Sequence, residues 1–563
     1  MTLVAVDLGA EYVDVAVLSG GECSVWKAAA DTTDPAGSVV SAAAVALERT
    51  GLSLSQVAEM RLGSTTGVNA LLRRDGARVA LITTRGFGDV LTLARQNRAD
   101  LYDPVARSPA PGFLAARADT FEIGGRIGAD GGEVEPLERA AITAIAEACR
   151  ARGIADIAIC LLFAHVNPAH EVQIEEMLHS AAPELRMSLS HRVDPQPREY
   201  ERTVSTCLEA FLSPAETRLL EEINIGLGAR GFAGRLMLAN SRGGLVPVDI
   251  GRATVSRLLG GGPAAVLRLA SAVATEAGAG IAISLDVGST SSDIGLIRRA
   301  EPPEVEEAVF AGVPLRQPIA DITSVALGAR SLFDGVPLGE ATDTLPNAAR
   351  DLLVQAIVSH CVRRNADPAQ AALIASGGLG PALAIHVAGV LGITRILLPA
   401  APEVAGALGL LLSASLAESR VSLQAGFDVL ENGALARSCA ELAEGLPSGQ
   451  VLFFAQAAPT ANMHRVTLGL GADVPTATSL RGALNDYFRE MFGIDCPGEG
   501  YLFALIARVK GDDAQPLPQV SPPPRAEPGG VRTALGAVPV PAGWLVAAIT
   551  PSHLELRKDH ADG

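Results

Sequence analysis

One short pattern occurs twice in this chain and constrains what it can fold into. Residues 283–297 read ISLDVGSTSSDIGLI: apolar up to Asp286, a Gly-Ser-Thr-Ser-Ser turn, then Asp293 opening a second apolar run. Two such runs around a small polar turn make a β-hairpin. The chain opens with LVAVDLGAEYVDVAVL, which sets Asp7, Gly9 and Asp14 in the same relative places as Asp286, Gly288 and Asp293. Backbone amides in a Gly/Ser turn form an anion-binding concavity, and glycine lets a ligand approach closely. A carboxylate at the strand end can hold a metal-bound water or orient an attacking group. A single hairpin of this kind is equally an ordinary polar-tipped turn; the repeat, roughly half the chain apart, is what makes a ligand cleft the stronger reading.

A third element follows from Ala372: in ALIASGGLGPALAIHVAGVLG, Gly377, Gly378, Gly380 and Pro381 break an apolar strand before an Ala-rich helix. Two hairpins followed by a Gly-Gly turn resemble the order found in the actin, sugar-kinase and Hsp70 superfamily. That resemblance implies an α/β, two-lobed, ribonuclease H-like (actin-like ATPase) core. The hairpins would hold nucleotide phosphates from the two lobes, and the Gly-Gly turn would receive the adenosine.

Composition removes several alternatives. With 48% hydrophobic and 19% charged residues over 563 positions, the chain can bury large cores in several domains. A net charge of −17 argues against nucleic acid as a partner, since phosphate backbones need clustered Lys and Arg. The seven cysteines, at 23, 149, 160, 207, 361, 439 and 496, include no CxxC pair, a pattern of reduced thiols rather than a disulfide framework or zinc site. Residues 371–394 carry no charge, but the glycine and proline breaks make them a buried strand–helix unit instead of a membrane span. With no basic leader at the first residues, the expectation is a cytoplasmic protein away from membranes.

From Gly63 to Asp103 the chain reads GSTTGVNALLRRDGARVALITTRGFGDVLTLARQNRADLYD, which resembles the hydantoinase A/5-oxoprolinase family almost without gaps. The resemblance continues through CLLFAHVNPAHE (160–171), PREYERTVSTCLEAFLSP (197–214), SRGGL (241–245), GPAA (262–265) and SGGLGP…LLPAAPEVAGALGLL (376–411). It covers roughly residues 1–415. It implies an ATP-using subunit that opens a cyclic amide after phosphorylating the carbonyl oxygen, because a phosphorylated oxygen leaves where a neutral amide oxygen does not. A ketone carboxylase subunit is the alternative on the same scaffold, and a non-catalytic binding or scaffold subunit is a third reading. A B-type hydantoinase subunit, or a second copy, is the implied partner. Carried onto this chain, Asp7 and Asp286 would be catalytic and would hold Mg²⁺. Gly9, Asp14, Gly288, Ser289, Thr290 and Asp293 would bind phosphate, with Gly377 and Gly378 at the adenosine.

The departures from the family pattern are equally specific. The first hairpin has Ala10, Glu11 and Val13 where a glycine and two threonines are expected. A carboxylate about 4 Å from a phosphate charge costs ~4 kcal/mol at an effective dielectric near 20. Thr323 stands where the family has histidine after Asp321, and the Gly/Pro-rich segment that should follow is replaced by 333–344 running straight into a helix. The family's C-terminal Y-x-G-Q element has HRVTLGLGAD, 464–473, as its nearest counterpart.

Domains are expected at 1–190, 191–418 and 419–563, with a Pro-rich linker at 515–530 and short strands after it returning to the third domain. Gly226 to Gly231 matches GxGxxG, but it follows a helical stretch and reads as a helix end. Gly260-Gly-Gly-Pro263 reads as a turn entering a helix whose amides face the cleft. Arg198 and Arg202 are candidates to offset phosphate charge, against the plain reading of a salt-bridged helix face, and Thr65 and Asn69 are candidates for the substrate side.

Overall fold

A computed structural model describes residues 1–97, 102, 111–248, 255–298, 303–310, 312–328, 347–463, 465–511, 514–527, 530–535, 537–540 and 543–559. The expected segments at 98–101, 103 and 329–344 and His464 lie outside the described residues.

Both hairpins form, and each seeds a sheet. Thr2–Leu8 pairs antiparallel with Tyr12–Ser19, Asp7 opposite Asp14, and Ile281–Val287 pairs antiparallel with Ser292–Arg298, Asp286 opposite Asp293. On its other edge, Thr2–Leu8 takes Val57–Ser64 as a parallel neighbour, and Ile281–Val287 takes Ala372–Ser376 in the same way. Outward from the hairpins, Glu22–Ala29 and Arg235–Ala239 extend the first sheet; Ile322–Val325 and Arg395–Pro399 extend the second. The two seven-stranded sheets thus share one strand order around their hairpins, the duplicated two-lobed α/β core expected from the sequence.

Two helices lie between the sheets. Gly261–Glu276 and Ala405–Leu412 carry small residues at their crossing, where a Cβ on Gly409 would sit 2.0 Å from the Ala265 carbonyl oxygen. Their Ala, Leu and Val side chains join residues of both sheets in one core. The stretch Val255–Glu276 is long and apolar enough to cross a bilayer, but most of it is buried in that core. The uncharged run 371–394 is, as expected, a strand and a helix, Ala372–Ser376 and Gly380–Leu391. The GxGxxG match is a helix end: Gly226 and Gly228 lie within the helix Glu199–Ala229.

Residues 79–189 hold a separate four-stranded sheet, and 416–510 hold another in which Tyr501–Lys510 is flanked by Leu416–Gly426 and Val451–Ala458. The strands within and beyond the Pro-rich run depart from expectation. Gln519–Val520 adds to the edge of the first lobe's sheet, and His553–Lys558 pairs antiparallel with Arg395–Pro399 in the second, followed at the edge by Trp544–Ile549. They do not return to the small C-terminal sheet, because Arg395–Pro399 offers an unpaired edge that a late antiparallel strand completes. All seven cysteines are free thiols, six of them buried.

Candidate functional site

The hairpin tips are built alike: the Gly9 N–H donates to the Tyr12 carbonyl at 2.9 Å, and the Gly288 N–H donates to Ser291 at 2.9 Å. These two amides close the turns and are spent there. Thr290 lines a cavity of about 380 Å³ together with Ala10, Glu11 and Arg73. The two tips therefore face one space, and Glu11 borders it in the company of an arginine.

Below the tips, Asp7 occupies a recess that only glycines permit. Its Oδ1 would lie 2.7 Å from a Cβ on Gly63 and 3.1 Å from one on Gly262, and its Oδ2 would lie 1.8 Å from one on Gly406. Gly262 and Gly406 sit in the first turns of the two central helices, whose positive N-terminal ends thus bracket the carboxylate. The Gly260–Pro263 turn accordingly meets Asp7 itself, with Gly260 in the left-handed conformation at φ 78°. Asp7 Oδ1 is buried and has no hydrogen-bond partner.

Four carboxylates crowd this floor. Burial pushes Asp7 up to about 7, with Asp14 and Asp286 adding to it, and burial with the neighbouring Asp286 brings Asp293 to about 7. Burial raises Asp14 to about 6 against the pull of Lys27, and it raises Asp286 against a hydrogen bond from Ser376. The only lysine here, one of three in the chain, is Lys27, opposite Asp14 in the sheet. Its Nζ donates to Asp14 Oδ1 at 2.5 Å and to the Glu403 carbonyl at 2.9 Å, tying the first lobe to the turn before Ala405–Leu412. Ser376 Oγ donates to Asp286 Oδ1 at 2.7 Å, joining the Gly-Gly turn to the second hairpin, and Ser324 donates to Asp293.

Gly377 takes φ 81°, donates its N–H to Pro402 O at 2.8 Å, and leaves no room for a Cβ, which would lie 2.1 Å from Val287 O. Gly378 faces open space: a Cβ there would meet nothing within 4 Å. The turn is thus held on one side and open on the other. Gly328 lies on the second tip, where a Cβ would be 2.4 Å from the Thr290 nitrogen.

Other candidates are placed elsewhere. Arg202 is fully buried, donating to Leu161 O at 3.1 Å and to Ser190 with Glu171 at 3.7 Å; it is a core ion pair and does not reach the cleft. Arg198 lines a different cavity. Thr65 Oγ1 donates to Leu8 O at 3.2 Å and receives Asn69 Nδ2 at 3.2 Å, so both fix a helix start beside the first hairpin. Thr323 pairs opposite Ile294 and shares a 2.8 Å hydrogen bond with His360 Nδ1, while its neighbour Ser324 serves Asp293. Alternation along the strand thus turns position 323 to the face opposite the aspartates. Sequence reasoning missed Lys27, Ser376, Gly63 and Gly406; only the rarity of lysine pointed to the first.

A model of the hydantoinase/oxoprolinase N-terminal region matches residues 3–182, and a hydantoinase/oxoprolinase model matches 202–351 and 335–419. The chain belongs to the hydantoinase/oxoprolinase family. Among curated relatives, caprolactamase subunit alpha of Pseudomonas jessenii is 31% identical over 270 residues, 48% of this chain and 39% of that protein. The acetophenone carboxylase gamma subunit of Aromatoleum aromaticum is 28% identical over 309 residues, 52% of this chain and 42% of that one. The chain spans half or less of the curated relatives it matches first. The crystal structure of the ATP-dependent caprolactamase from Pseudomonas jessenii shares the fold, with a TM-score of 0.83 at 22% identity over 99% of this chain and 100% of that one.

Proposed function

We propose that this member of the family is the ATP-binding subunit of a cyclic-amide hydrolase, activating an amide carbonyl by phosphorylation. The observation that carries the reading is the pairing of Asp7 and Asp286, one from each lobe, across a cleft whose hairpin tips share one cavity. ATP phosphates would lie at the tips, near Ser289 and Thr290, with the adenosine against the open side of Gly378. Lys27 anchors Asp14 and supplies positive charge beside the phosphates. Asp286, oriented by Ser376, would align the attacking oxygen, and Asp7 lies close against the backbones of Gly63, Gly262 and Gly406.

Magnesium suits these residues through chemistry and charge. Asp7 Oδ1 lacks a partner, the floor carries an excess of carboxylate, and hard divalent cations prefer oxygen ligands. Among the described residues no three His, Cys, Asp or Glu side chains converge into a cage. Asp7 and Asp286 would therefore share the ion with nucleotide phosphates and water, where it would neutralise charge on the transferred group.

The test is ATP turnover by the chain combined with its partner subunit, comparing wild type with Asp286→Asn. The two side chains are nearly isosteric, so the variant should fold, bind ATP and lose turnover by at least about a hundredfold. Unchanged turnover would reduce Asp286 to a structural role and remove the reading.

A further inference from the structure

The tail from residue 514 onward is built into both lobes, and its two attachments are unequal. On the second lobe it supplies two full strands, His553–Lys558 and Trp544–Ile549. On the first it supplies two paired residues, Gln519 beside Glu22 and Val520 beside Cys23, with the Ser521 N–H donating to Cys23 O at 2.8 Å. The sequence keeps that strand short. Pro518 and Pro522 stand on either side of it, and proline has no N–H with which to extend a ladder. Burial compensates in part: Val520 is 3% exposed, and Leu517, Ala534 and Leu535 pack on the core that both sheets share.

Between these attachments the tail meets the junction of the lobes twice. The Val520 N–H donates to Pro551 O at 3.4 Å, so a residue paired with the first lobe also bonds the turn that joins the second lobe's last two strands. That turn holds the end of Arg395–Pro399 through the Ala400 N–H, which donates to Ser552 O at 2.8 Å. It also holds the end of a central helix, where Ser552 Oγ donates to Glu276 Oε2 at 2.7 Å. Further back along the tail, Thr533 Oγ1 donates to Glu403 Oε1 at 3.0 Å. The Glu403 carbonyl receives Lys27 of the first lobe, and the carbonyl before it, of Pro402, receives the N–H of Gly377 in the second. Thr533 thus grips a short turn that itself bonds to both lobes.

Rotation of two lobes about packed helices is a common way for a cleft to open. Here such a rotation would carry Glu22–Ala29 away from the tail's strands on the second lobe. A proline-rich segment is extended by nature, at about 3.1 Å per residue, and has little slack to follow. Either the lobes keep their spacing or the weaker attachment lets go. We propose that the tail is an interlobe strap that limits how far the cleft opens, with Gln519–Val520 as its releasable end. The strap is independent of what occupies the cleft, and it is tested on the full chain without nucleotide.

Two readouts separate release of the strap from opening of the lobes. Cys23 lies fully buried beside Val520, and burial pushes its thiol up to about 12, so it should resist alkylation while the strap is docked. Nitroxides at Glu48→Cys and Arg363→Cys, exposed positions on the first and second lobes, give the interlobe distance by pulsed electron resonance. Cys23→Ala and Cys496→Ser in the labelled proteins leave only buried native thiols. Val520→Asp puts a charge into a buried slot, so alkylation of Cys23, read by peptide mapping, should be about tenfold faster or more. The interlobe distance should lengthen and broaden in the same variant. Thr533→Val, which exchanges a hydroxyl for a methyl, should broaden it too, and carries the test alone if Val520→Asp fails to fold. Cys23 still protected in folded Val520→Asp, Cys23 exposed with the interlobe distance unchanged, or an unchanged distance in Thr533→Val overturns the proposal.

Discussion

Gly406→Ala tests whether the recess around Asp7 is as restrictive as its geometry states. The added methyl would stand 1.8 Å from Asp7 Oδ2 and 2.7 Å from its Cγ. An alanine in a helix interior ordinarily gains ~1 kcal/mol over glycine. Overpacking a close-fitted site costs about 1–3 kcal/mol, so the net effect should be a loss of up to ~2 kcal/mol. In an Asp7→Ala background the obstruction is gone, and Gly406→Ala should recover the ordinary gain. The double-mutant coupling is then about 1–3 kcal/mol, well above the few tenths expected of independent sites. The chain carries two tryptophans, Trp26 in the first lobe's sheet and Trp544 in the second's. Urea unfolding followed by Trp26 fluorescence in a Trp544→Phe protein reports the lobe that holds Asp7. Equal stabilisation by ~1 kcal/mol in both backgrounds would refute the argument, because it would mean that the helix start has room the structure denies.

Three further outcomes are expected. Glu11→Thr should tighten Mg-ATP binding by no more than about tenfold in calorimetry, because Arg73 shares the cavity; a gain approaching the thousandfold of an unscreened ~4 kcal/mol would show that wild type no longer uses the site. Lys27→Met should raise the KM for ATP about tenfold or more with the fold intact, and an unchanged KM would confine Lys27 to pinning Asp14 and Glu403. Glu216 is pushed by burial from 4.5 to about 7, so its contribution is fully present below the unfolded value and is lost as pH rises through 7. Glu216→Gln should therefore flatten the fall in stability between about pH 4.5 and 7 and stabilise the protein at pH 8 by at most ~3 kcal/mol; a parallel pH profile in denaturant titrations would refute that.

The hairpins were legible because their signal is local: alternation fixes the strands, the DxG turn fixes the reversal, and the aspartate registers follow. The Gly-Gly turn was legible for the same reason. What the sequence could not reveal are partners distant along the chain. Nothing near Lys27 announces that its ammonium reaches Glu403, and nothing near Gly406 says that a carboxylate from the first strand needs its missing methyl. The turn amides of Gly9 and Gly288 look available in one dimension and are consumed in three. Arg202 looked like a cleft cation because a dense polar run does not say which way a buried helix is rotated. The final strands were misassigned because pairing with Arg395–Pro399 depends on an open edge far upstream.

That late pairing bears on synthesis. As the ribosome delivers the chain, the second lobe's sheet is unfinished at Arg395–Pro399 while the whole of the 416–510 sheet and the Pro-rich run emerge. Only when His553–Lys558 appears does the exposed strand gain its neighbour. Until then a row of unpaired backbone groups beside an apolar core is a template for another chain. Nascent copies on one message are close neighbours, so the molecule spends the last stretch of its translation open to pairing with them. Chaperone dependence during expression should rise steeply in chains cut just before residue 544 relative to the full chain, and equal dependence of the two would refute the argument.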